Sequence, residues 1–228
     1  MAATAPHRTP LTFAGRHTCT DPGWYTPRPY VEAARMVMGA IDLDPASDAE
    51  ANQIVRATRF HTIDDNGLKQ PWFGRVFLNP PGGKNDEDNA NVPAFWLKLL
   101  ASLASSVDAV DLAYPTHVTQ AVWIGYSLEQ LQTLQQVGAD RTPLDCVMCV
   151  PAQRIAFVEN AAKRAARIER LIREGEAPGA SARKQKTAAD CRAGRPPKDA
   201  PSHANYITYI GDRVDIFRRV FSAFGKVK

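Results

Sequence analysis

Four short apolar runs, each halted by a proline, constrain this chain more than any other feature. They are "AIDLDP" ending at Pro45, "RVFLNPP" reaching Pro80, "VDAVDLAYP" ending at Pro115 and "LDCVMCVP" ending at Pro151. Proline has no N–H to give a ladder, so it closes a strand. Between the runs the apolar residues recur at helical spacing. "TPRPYVEAARMVMG" reads as a helix entered through Pro29 and closed at Gly39, with Val31, Ala34 and Met38 on one stripe. A strand over Ala40 to Leu43 follows. "ASDAEANQIVRA" then returns to helix, with Ser47 as N-cap and Glu50 three residues on.

"TRFHT" is a weaker strand, "GRVFL" a strong one, "VPAFWLKLLASLASS" a helix and "VDAVDLAYP" a strand. "SLEQLQTLQQVG" gives another helix and "LDCVMCVP" another strand. The chain closes with a strand over Tyr206 to Ile210, a turn at Gly211 and a last helix. This alternation predicts an α/β domain with an open, mostly parallel sheet flanked by helices. Residues 1–20 lack any period and read as a flexible tail, leaving one domain over 21–228. Ligands of such sheets gather beyond the carboxyl ends of the strands.

The net charge of +4 is modest, but it is localised. Between Asn160 and Ala200 eleven Lys/Arg face five Asp/Glu, which leaves the remaining 187 residues slightly acidic. The segment reads as a basic helix, "NAAKRAARIERLIREGE", followed by a flexible loop. Such a surplus marks a place for phosphates. No apolar run is long enough for a bilayer span, and the N-terminus carries no signal-peptide pattern, so the expected compartment is cytoplasmic. Cys146 and Cys149 form a C-x-x-C without a second ligand pair, and the metal expectation is none. His61, His117 and His203 have no triad or metal spacing and read as structural or solvent-facing.

The turn "RVFLNPPGGK" carries the chemistry. Two consecutive prolines fix φ twice and remove two donors, so Asn79 and Pro80 offer carbonyl acceptors on a stiff support. Two fixed acceptors suit a substrate amine whose lone pair is delocalised into a π-system. Accepting both its hydrogens draws the nitrogen toward a tetrahedral shape and aims the lone pair at an electrophile.

Asn-Pro-Pro after an apolar strand resembles the fourth motif of amino-group methyltransferases. More closely, the chain resembles the phage-type DNA N6-adenine methyltransferases that use S-adenosylmethionine. The shared pieces are "WYTP" (24–27), "IDLDPAS" (41–47), "DDNGL" (64–68), "RVFLNPPGGK" (75–84), "IGYSLEQLQ" (124–132), "CVPAQRIAF" (149–157) and "YITYIGDRVDIFRRVFSAFG" (206–225). The resemblance implies a Rossmann-like fold and methyl transfer to adenine N6 in DNA, in the host cytoplasm if the chain is phage-encoded. It implies a catalytic turn of Asn79, Pro80 and Pro81. It also implies cofactor contacts from Thr26, Pro27, Asp44, Pro45, Ala46 and Asp64 or Asp65. DNA contacts are expected from Lys84, Trp96 and the basic residues Lys163, Arg164 and Arg167.

The chain departs from the pattern in three places. The loop after Asp44 has no glycine, the segment from Asp44 to Asp64 is short, and Gly82 replaces the aromatic that follows the prolines. Trp96, Phe95, Tyr114 and Trp72 are the rings available to stand in for it. Cytosine N4, RNA bases and protein glutamine remain alternative acceptors, and a catalytically silent DNA-binding relative is the alternative of another class.

Overall fold

The computed structural model describes residues 24–83, 91–104, 117–137, 139–196 and 204–228. In chain order the elements begin with β1 (Trp24–Tyr25), α1 (Arg28–Met38), β2 (Leu43–Asp44), α2 (Ala49–Val55) and β3 (Arg59–Phe60). Next come β4 (Gly74–Leu78), α3 (Asn91–Ala104), β5 (Val118–Gly125), α4 (Glu129–Gln136), β6 (Val147–Pro151) and β7 (Val158–Glu159). The chain ends with α5 (Ala161–Glu176), α6 (Ala182–Arg192), β8 (Tyr206–Ile210), α7 (Val214–Phe221) and β9 (Gly225–Val227).

Seven strands form one sheet in the order β3-β2-β4-β5-β8-β6-β9. The β3-β2-β4-β5 end is parallel, whereas β8 runs antiparallel to both β5 and β6, and β9 antiparallel to β6. The expected α/β sheet is therefore present, but it is mixed. Its continuous parallel part is confined to one end, because β8 and β9 run against the strand β6 that they flank.

Alternation along the strands divides the core in two. Phe77, Val122, Ile124, Ile207 and Tyr209 face α1 and α7, where Val31, Ala34, Met38, Phe217 and Phe221 complete one cluster. Val76, Leu78, Ala121, Trp123 and Tyr206 face α3 and α4, where Val92, Phe95, Trp96, Leu99 and Leu134 complete the other. Helices thus cover both faces. Cys149 is buried in the first cluster and Cys146 packs against the second, both as free thiols.

Several elements differ from expectation. Asp48, not Ser47, caps α2, its carboxylate accepting from Ala51 N at 2.8 Å. The strand β5 arises from "VTQAVWIG", a stretch whose sequence carries no clean strand pattern, while "VDAVDLAYP" lies outside the described residues, as does the tail at 1–20. The second half of the insertion is the helix α6 rather than a loop. Ser181 caps it, Lys186 and Asp190 pair at i,i+4, and its Ala, Lys, Gln and Arg content favours helix. Helices α5 and α6 pack as a hairpin at Gly175, where a Cβ would lie 2.5 Å from the Ala188 methyl. No helix among the described residues is long and apolar enough to cross a membrane.

Candidate functional site

The order of the parallel strands locates a cleft. From β2 the chain crosses to β3 on one side, then returns to place β4 on the other side of β2. At such a reversal the loops leaving the two strands part in opposite directions and open a crevice at their carboxyl ends. Asp44 ends β2 and Asn79 directly follows β4, so both stand at this crevice.

The two aspartates of "IDLDP" have opposite surroundings. Asp42 receives the Arg75 guanidinium, Nε to Oδ2 at 2.7 Å and Nη2 to Oδ1 at 2.8 Å, and that pairing holds its carboxyl below the usual range. Asp44 is only 4% exposed, yet no cation among the described residues pairs with it. Its carboxylate accepts from Ala46 N at 3.2 Å. Burial pushes its carboxyl up to about 7; the Ala46 N–H and the neighbouring Ser47 side chain oppose that shift. A buried carboxylate held without a cation is unfavourable for folding and fit for a cationic ligand.

A two-stranded ribbon of β1 and β7 crosses the same end of the sheet. The Trp24 carbonyl accepts from Asn79 Nδ2 at 3.2 Å. The amide is thereby oriented, and its oxygen accepts no hydrogen bond from a described residue. Tyr25 donates its phenol proton to Asp48 at 2.7 Å, and Asn160 Nδ2 donates to the phenol oxygen at 2.6 Å. Burial first, and the Asp48 charge with it, push that phenol up to about 12. Asn160 also caps α5, so one side chain ties the basic hairpin to the ribbon. Just beyond Tyr25, Thr26 is buried with its hydroxyl unpartnered, and Pro27 opens α1.

The structure therefore brings Thr26, Pro27, Asp44, Pro45, Ala46, Asn79, Pro80 and Pro81 to one end of the sheet. Asp64 and Asp65 lie in the turn that follows β3. Asp65 accepts from both the N–H and the hydroxyl of Thr62, each at 2.8 Å, and Asp64 is exposed. The turn itself docks on the crevice through Gly67. A Cβ on Gly67 would overlap the Pro45 carbonyl oxygen, a backbone atom that cannot step aside. Gly67→Ala is expected to lower the melting temperature by about 4–10 °C, read by calorimetry, as overpacking against backbone displaces the turn.

The remaining expected contacts separate. Trp96 is fully buried, its indole donating to the Arg141 carbonyl at 2.8 Å and standing edge-on to Trp123 at 5.0 Å. It is a core residue and corrects the expectation of a DNA contact; Phe95 and Trp72 are buried with it. Lys84 and Tyr114 lie outside the described residues. Lys163, Arg164 and Arg167 all fall on α5, but Arg167 is engaged with Glu159 on β7 at 2.9 Å, with both side chains largely buried. Arg164, Arg173 and Arg183 are exposed and make no ion pair with a described residue.

Two residues at the site, His61 and Asn160, carry no strong signal in the sequence, while Trp24 and Tyr25 fall in the shared piece "WYTP" with no role of their own assigned there. His61 follows β3, its N–H donating to the Asp44 carbonyl at 3.0 Å. Its ring is buried with Nε2 unpartnered, and burial pushes the imidazole below its ordinary value against the pull of Asp65. Only the N-cap pattern of "NAAK" marks Asn160 locally.

Two open depressions lie elsewhere. One is at the amino end of β5, lined by His117, Gln120 and Asp212, and one is between α5 and α6. Neither touches Asp44 or Asn79, so the strand reversal and the unpartnered buried groups, rather than concavity, define the site. Among the described residues no cluster of His, Cys, Asp or Glu could hold a metal. No protein-family model, no curated protein and no solved structure matches this chain.

Proposed function

We propose that this protein is an S-adenosylmethionine-dependent methyltransferase with a Rossmann-like fold, acting on the N6 amine of adenine in DNA. The observation that carries this reading is the Asn79 amide. It is fixed through Nδ2 by the Trp24 carbonyl, with Oδ1 left as an acceptor, at the same sheet end as the unpaired Asp44.

The buried groups fit the cofactor's amino-acid end. Asp44 suits an ammonium through a charge-assisted hydrogen bond, and the unpartnered Thr26 hydroxyl suits the adjoining carboxylate. The cofactor supplies an electrophilic methyl group on a sulfonium. The chain supplies orientation. Asn79 Oδ1 accepts one hydrogen of the amine, and the Pro80 carbonyl accepts the other. This acceptor pair raises electron density on nitrogen and holds its lone pair toward the methyl. Pro80 is buried and neither proline carries an N–H, so the turn presents no competing backbone donor there. With the cofactor bound, forming the N–C bond would break the methyl–sulfur bond and leave a neutral thioether. The proton the nitrogen sheds would pass to solvent, because the two carbonyl acceptors hold it by hydrogen bonding but are too weakly basic to take it.

The test is incubation with unmethylated DNA and methyl-labelled cofactor, followed by digestion to nucleosides. N6-methyladenine is the expected product. RNA, protein and cytosine-only DNA serve as competing acceptors. Label in any of them in place of adenine would move the substrate, and label in none would remove the activity.

The basic hairpin suits a polyanion. Replacing Arg164, Arg173 and Arg183 together by alanine is expected to weaken DNA binding while leaving cofactor affinity unchanged. The log–log salt slope should become shallower by about 0.9 for each phosphate that is no longer neutralised, measured by fluorescence anisotropy across a salt series.

A further inference from the structure

We infer that the indole of Trp24 is the surface on which the target base stacks. The inference rests on the amine-methylating reading above. An enzyme that modifies a base amine takes the base out of the helix and holds it against a flat apolar face. The turn from Asn79 to Gly83 offers only prolines and glycines, so the face must come from another element.

Trp24 meets the requirement on three counts. Its carbonyl receives the Asn79 amide at 3.2 Å, which roots its ring beside the acceptor that orients the amine. Its indole is half-buried, belongs to neither core cluster and makes no ring contact or side-chain hydrogen bond with a described residue. Among the described residues it is thus a large apolar surface without an occupant. Successive side chains of a strand leave on opposite sides. Tyr25 reaches Asp48 on α2, so Trp24 leaves the ribbon on the side away from α2. Among the other half-buried rings near this end, Tyr126 packs on one core cluster and Phe157 on the other, and Phe60 stands on β3, separated by β2 from β4 and the Asn79 turn.

Removing the ring leaves the main-chain carbonyl, and with it the orientation of Asn79, in place. Trp24→Ala is therefore expected to lower kcat/KM for N6-methyladenine formation about ten- to hundredfold, the range that one base stack supplies. Cofactor affinity by calorimetry should stay unchanged. Trp24→Phe should recover the rate to within a few-fold. An independent readout uses indole emission. In the presence of S-adenosylhomocysteine, an adenine-rich single-stranded oligonucleotide should quench the wild type and leave Trp24→Phe unquenched, and this holds even if the alanine variant does not fold.

Trp24→Ala acting within twofold of an active wild type would overturn the inference while leaving the methyltransferase reading standing. So would a phenylalanine variant as impaired as alanine, or a wild type whose emission ignores the oligonucleotide. A wild type that forms no methylated adenine removes the reading itself, and the inference with it.

Discussion

Asn79→Ala is expected to reduce methyl transfer about 10²–10³-fold, the usual consequence of deleting one fixed polar group that acts on the reacting atoms. The effect belongs in kcat rather than KM, because orientation of the amine matters most as the N–C bond forms. Cofactor affinity should not change, since Asp44 and Thr26 are untouched. Nor should the fold suffer much, because among the described residues the variant gives up one 3.2 Å hydrogen bond, to the Trp24 carbonyl. Single-turnover assays beside a thermal melt separate these outcomes. An alanine variant with wild-type turnover would end the proposed role of the turn. Asn79→Asp sharpens the test. It keeps an acceptor but removes the Nδ2 donor and turns a carboxylate against the Trp24 carbonyl, so it should also be severely impaired.

How far the sequence reveals this arrangement depends on whether the signal is local. Strands β4 and β8 are legible because "VFL" before the prolines and "YITYI" are unbroken apolar, aromatic or β-branched runs halted by turn residues. Strand β5 is not, because Thr119 and Gln120 interrupt its apolar character at the start. The ribbon of β1 and β7 joins Trp24 to Glu159 across more than a hundred residues, and two-residue strands have no period to detect. Helix α6 reads as a loop because "APG" and "GRPP" flank it, although its interior residues favour helix.

Trp96 is a case where one local signal outweighs another. Val92, Phe95, Trp96 and Leu99 follow the 3.6 period of a buried stripe, and that period places the indole in the core rather than on a ligand. At the site, Asn79 and Asp44 can be found from strand ends and prolines. The orientation of the Asn79 amide cannot, because it depends on the tertiary contact with Trp24.

Asp44→Asn is expected to make the protein more stable and unable to bind its cofactor. The carboxyl is buried with no cation among the described residues paired to it, and burial raises it to about 7 in the folded state, against about 3.9 in an unfolded chain. The folded protein therefore holds a proton between those values that the unfolded chain has released. Stability is fully present below about pH 4, declines as pH rises toward 7, and stays diminished above it. Asparagine cannot ionise, and its Oδ1 can still accept from Ala46 N. The variant should gain roughly 2–4 kcal/mol over wild type at pH 8 and little at pH 4, measured by urea unfolding at both values. Cofactor affinity should move the other way. An ammonium ligand binds the carboxylate form, so wild-type affinity should fall about tenfold per pH unit below 7 and level off above it. Calorimetric titrations between about pH 5.5 and 8.5 would show that slope in the wild type and its absence in Asp44→Asn. A variant less stable than wild type at pH 8 would mean that the Asp44 carboxylate is already satisfied in the free protein. A variant that still bound the cofactor would mean that the ammonium is held by another group.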